Sequence, residues 1–80
     1  MKINPIASNM TEATLANGDL VLFSYKTPVA ARVGGKFFRT TYKWSMTTSR
    51  HINKWLALYS IGKGTDDTMC RPQPFFEGLV

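Results

Sequence analysis

The spacing of apolar positions changes at about Ser45. Before it the period is two, that of a strand whose side chains point alternately to opposite faces. After it Ile52, Trp55, Leu56 and Tyr59 recur at the spacing of a single helical stripe. Thr11 to Leu15, Leu20 to Tyr25, Val29 to Val33 and Lys36 to Trp44 read as four strands. Asn17-Gly18 and Gly34-Gly35 join them in pairs, because Asn and Gly tolerate the positive φ of a type I′ turn. Thr27-Pro28 interrupts the pattern, since proline donates no ladder hydrogen bond. The spacing predicts a helix that Thr47 or Thr48 caps and Gly62 ends.

If Gly34 and Gly35 form the loop of the second hairpin, Val33 lies opposite Lys36, Arg32 opposite Phe37, Ala31 opposite Phe38, Ala30 opposite Arg39 and Val29 opposite Thr40. The period of two then sorts the faces. Val29, Ala31, Val33, Phe38, Tyr42 and Trp44 make an apolar face for the core. Ala30, Arg32, Phe37, Arg39, Thr41 and Lys43 turn to solvent or to a partner. The helical stripe, with Trp55 at its centre, is expected on the apolar face.

The predicted class is therefore α+β: an antiparallel sheet of three to four strands made of two hairpins, with one helix packed on one face. Residues 1–10 are polar and broken by Pro5, and read as a flexible arm. Residues 11–62 form the single domain. Residues 63–80, with Gly64, Asp66-Asp67, Pro72 and Pro74, read as an irregular tail that Phe75-Phe76 pin to the body or to a partner subunit. A chain of 80 residues buries only roughly 60 to 65% of its unfolded surface, which makes homodimerisation a way to gain stability. The single cysteine, Cys70, has no internal disulfide partner. No apolar run approaches the roughly 20 residues of a membrane span, and no secretion signal is seen, so a cytoplasmic protein is expected.

Charge adds the functional clue. The chain carries a net +5, but Leu20 to Thr65 holds Lys26, Arg32, Lys36, Arg39, Lys43, Arg50, Lys54 and Lys63 with no Asp or Glu. Glu12, Asp19, Asp66, Asp67 and Glu77 all lie outside that block. Such one-sided charge governs association rather than fold, and implies an anionic partner.

Enzymatic chemistry finds little support. His51 has no cysteine or serine partner in a local motif, one His and one Cys do not fill a zinc shell, and Asp66-Asp67 is adjacent rather than spaced like a metal loop. Gly34-Gly35 lacks the context of a phosphate cradle. No catalytic residue, metal or cofactor is expected. Binding is better served. Arg32, Arg39 and Lys43 surround Phe37, a pattern in which cations track a phosphate backbone while an aromatic offers a stacking surface. A second candidate site is the run Ser45 to His51 at the helix start, where hydroxyls, unpaired amides and the positive end of the dipole attract anions and Arg50 and His51 lie in the same first turn.

Thr27-Pro28-Val29-Ala30, the Gly34-Gly35 turn and the run from Trp44 through Thr47-Thr48-Ser49-Arg50-His51-Ile52-Asn53 to Leu56 resemble a small domain of unknown function found in phages and prophages, over about residues 20 to 58. In size and style the chain also resembles the anti-CRISPR proteins that block type I surveillance complexes. These resemblances imply a non-enzymatic inhibitor in the cytoplasm of a host bacterial cell, docking its cations on an acidic surface of a CRISPR surveillance complex. Direct binding of nucleic acid through the same basic face is the alternative.

Overall fold

The structure is a computed structural model that describes residues 2–42, 44–60 and 69–80. Six strands, β1 (Lys2–Ala7), β2 (Met10–Thr14), β3 (Leu20–Ser24), β4 (Thr27–Val33), β5 (Lys36–Thr40) and β6 (Met69–Arg71), form one sheet in chain order. The helices are α1 (Met46–Ser60), between β5 and β6, and α2 (Gln73–Glu77). The first five strands are an antiparallel meander, and β6 joins β5 in parallel. The class is α+β, but the sheet is mixed and larger than the three to four strands expected. The supposed N-terminal arm supplies β1, and the supposed irregular tail supplies β6 and α2.

The second hairpin has the register its turn dictates, with Val33 opposite Lys36, Arg32 opposite Phe37, Ala31 opposite Phe38 and Ala30 opposite Arg39. Gly34 and Gly35 sit at φ 60° and 81°, the pair of positive values a type I′ turn requires. In the first hairpin only Gly18 is left-handed, at φ 93°. There the Gly18 amide bonds the Leu15 carbonyl at 3.0 Å and Leu15 donates to the Asp19 carbonyl at 2.8 Å, a three-residue loop rather than a two-residue one.

Both faces of the sheet are covered, and this overturns the expected placement of α1. The stripe Ile52, Trp55 and Leu56 packs with Met10, Leu20, Leu22, Val29 and Ala30, and Phe37 joins from its half-buried position. Phe37 meets Trp55 edge-on, ring centroids 5.6 Å apart. The helix thus lies on the face read as cationic and open. The other face, Val21, Ala31 and Phe38 with Phe23 and Val33 at its margin, is closed by Phe76 and Phe75 of α2. Phe76 of α2 occupies the face assigned to α1, and α1 covers the opposite one. Trp55 is fully buried as expected, but against Phe37 and not against Phe38, Tyr42 and Trp44.

Pro28 explains why Val29 and Ala30 share one face. Leu22 pairs with Ala30 while Phe23 pairs with Pro28, so Val29 is the extra residue of a bulge. Proline removes a ladder donor, and a bulge is a place where the ladder tolerates its loss.

Candidate functional site

Helix α1 begins at Met46, and its cap is Ser45 rather than Thr47 or Thr48. The Ser45 hydroxyl accepts the Thr48 amide at 3.1 Å, and the Ser45 carbonyl accepts the first helical amide, from Ser49, at 3.0 Å. Strand β5 has ended at Thr40. Tyr42 and Trp44, expected in the core, are therefore carried by the connection and stand 57% and 44% exposed. They pack against each other with ring centroids 4.4 Å apart and ring planes tilted by 48°.

Gln73, at the start of α2, fixes this aromatic pair to the sheet. Its amide nitrogen donates to the Pro28 carbonyl at 2.6 Å. Its oxygen accepts from the Thr40 hydroxyl at 2.8 Å and from the Trp44 indole at 3.2 Å, and the Thr40 hydroxyl in turn accepts the Tyr42 amide at 3.1 Å. A primary amide, with two donors and an acceptor of two lone pairs, suits such a junction.

Trp44 walls two hollows. The larger, about 410 Å³, is lined by Trp44, Ser45, Met46, Ser49, Arg50 and Asn53. The smaller, about 210 Å³, shares Trp44 and Ser45 with it and reaches Ser24, Tyr25, Thr27 and Thr48. At its edge the Ser24 hydroxyl lies 3.0 Å from that of Thr48 and 2.8 Å from His51 Nδ1. Ser24 is 2% exposed, so this Ser-His pair ties β3 to α1 and does not present a nucleophile.

The six binding residues expected from sequence have different fates. Arg39 donates to Asn53 Oδ1 at 3.3 Å, which brings the β5 guanidinium beside the helix at the rim of the larger hollow. Arg50 lines that hollow, and Lys54 is exposed next to Asn53. These three form one cationic rim, uniting sites that the sequence reading kept apart. Phe37 is withdrawn beneath α1, in contact with Trp55 and Tyr59, and is no open contact surface. Arg32 is exposed at the margin of the same face, where its charge acts on Tyr59. Lys43 lies outside the described residues, as do Asp66, Asp67, Gly62 and Lys63.

Nor is the cationic block free of acid once folded. Glu12, from β2, is buried beneath α1, where its Oε1 accepts the Trp55 indole at 2.8 Å and the Tyr59 hydroxyl. Burial, then the hydrogen bond and negative charge of Glu12, push the Tyr59 hydroxyl up to about 12, against the opposing charge of Arg32.

The sequence reading missed Trp44, Tyr42 and Gln73 as surface and scaffold residues. The available signal was Ser45 three residues before Thr48, a cap spacing that starts the helix at Met46 and leaves Tyr42 and Trp44 in a connection.

No curated protein and no solved structure matches this chain. A family model does match, over residues 1–72, which takes in the whole sheet, α1 and the aromatic connection. The chain belongs to that family, a family of unknown function (DUF8033).

Proposed function

We propose that the protein is a non-enzymatic binding module that docks on an acidic surface of a protein complex, through the aromatic connection and the cationic rim beside it. The observation that carries this reading is the exposed pair of Tyr42 and Trp44 next to Met46, Arg39, Arg50 and Lys54. Aromatics, Met and Arg are the residue types enriched at protein interfaces, and a packed, hydrogen-bonded Trp loses little entropy on binding. Paired with the resemblance to a phage and prophage domain, the surface suits an inhibitor of a host defence complex, with a type I CRISPR surveillance complex as the target.

The same pair favours one second reading. Exposed aromatics flanked by cations also receive unpaired bases, so direct binding of nucleic acid is the competing function. The deciding experiment titrates the protein into a purified type I surveillance complex and, separately, into a labelled single-stranded oligonucleotide at about 50 and 200 mM salt. Tight binding to the complex that Arg50→Glu abolishes supports inhibition. Binding to the free oligonucleotide alone, falling steeply with salt, supports the second reading.

A further inference from the structure

We propose that the larger hollow receives a bulky apolar side chain from an acidic segment of the partner, with flanking carboxylates held by Arg39, Arg50 and Lys54. This deepens the reading above and rests on it.

The walls of the hollow identify the central group. Trp44 and Met46 supply apolar surface, and Met46, 76% exposed, offers a flexible thioether side chain that adapts to an apolar guest. A hollow of about 410 Å³ has room for an aromatic or a large aliphatic side chain. Trp44 is already oriented, by Tyr42 on one side and by Gln73 at its indole nitrogen, so its remaining surface is a preformed platform. The Ser45 hydroxyl is engaged by the Thr48 amide, which leaves the lining chiefly apolar on that side.

The rim identifies the flanks. Arg50 lies in the lining itself, Arg39 reaches the rim through Asn53, and Lys54 follows Asn53 on the helix. None of the residues lining the hollow is acidic. An apolar centre ringed by cations complements an apolar residue ringed by acids, and the charges act mainly on encounter rate and specificity. A nucleobase would stack on Trp44 as well, but it gains less from the flexible thioether of Met46 than a hydrocarbon side chain does.

The test uses three probes, observed through backbone amides and the Trp44 indole N–H by NMR: a capped peptide Asp-Glu-Phe-Glu-Asp, its counterpart with Ala in place of Phe, and a six-residue oligothymidylate. The Phe peptide is expected to shift Trp44, Met46, Ser49 and Arg50, and to bind at least about tenfold more tightly than the Ala peptide, the value of burying one such side chain. Met46→Asp, at an exposed position, should remove that preference without disturbing the fold. Arg50→Gln should weaken both peptides and leave the preference intact. Equal binding of the two peptides, shifts centred elsewhere, or tighter binding of the oligothymidylate at these residues would overturn the proposal. The two readings fail separately. Loss of complex binding in Arg50→Glu with none in Met46→Asp removes the apolar anchor alone, whereas no binding to the complex by the native protein removes the function on which it rests.

Discussion

The Trp55 indole N–H donates a 2.8 Å hydrogen bond to Glu12 Oε1, joining the middle of α1 to the second strand across the interior. The same oxygen accepts from Tyr59, so one carboxylate satisfies two aromatic donors of the helix. Removing it leaves a buried indole donor without a partner. Glu12→Ala is expected to lose about 3 kcal/mol or more of stability, since charged hydrogen bonds contribute about 1.5 to 3 kcal/mol each and a stranded donor adds its desolvation cost. Glu12→Gln, which keeps an oxygen acceptor, should lose clearly less. Urea melts of the three proteins check the ranking.

Tyr59 turns this contact into a pH dependence. Its hydroxyl ionises at about 12 in the folded protein against 10.0 for the free side chain, so between these values the unfolded chain has given up a proton that the folded one retains. Stability from this group is fully present below pH 10, falls as pH rises toward 12, and is gone above it. Tyr59→Phe should flatten that part of the stability-pH curve, read by thermal melts across the alkaline range.

Ser24, Thr48 and His51 set a tautomer. The arrangement that uses every hydroxyl proton runs from Ser45 to Thr48, from Thr48 to Ser24 and from Ser24 to His51 Nδ1, so that neutral His51 carries its proton on Nε2. Nitrogen NMR of the imidazole should show this tautomer. Ser24→Ala should let the other one appear and, by leaving polar groups buried and unpaired, lower stability by about 1 to 3 kcal/mol.

Gln73 holds the proposed binding surface from behind. Gln73→Ala removes bonds to Pro28, Thr40 and Trp44 together, and should both cost about 1 to 3 kcal/mol and loosen Trp44. Indole fluorescence anisotropy reads the loosening, and binding to the partner should weaken even where the fold persists. Trp44→Phe, which keeps the aromatic contact but not the hydrogen bond, should fall between Gln73→Ala and the native protein.

What was legible in the sequence was local. The Gly34-Gly35 turn gave the β4–β5 register from Val33 back to Ala30, though not the expected face of Val29, and the spacing of Ile52, Trp55, Leu56 and Tyr59 gave the buried stripe of α1. The error lay in which face the stripe covers, because periodicity assigns a side chain to a face and says nothing about what covers that face. One signal pointed the right way. Leu20-Val21-Leu22-Phe23 is continuous rather than alternating, as befits a strand with apolar neighbours on both sides, and Leu20 and Leu22 do pack under α1 while Val21 and Phe23 face α2. The residues of the proposed surface were harder to read because the rim joins β5 to α1. Arg39 and Asn53 meet through tertiary packing that no short spacing encodes.

The strand order has a kinetic consequence. Each of the first five strands pairs with its neighbour in the chain, whereas β6 must return across α1 to lie beside β5. Short-range pairings close early because little chain entropy opposes them, and the return of β6 closes late. Phe76 belongs to that last segment, so its cover over Val21, Ala31 and Phe38 is expected to form after the meander has paired. The moment of greatest risk of aggregation therefore falls near the end of folding, and mutations in α2 should show themselves first as poor recovery on refolding at high protein concentration.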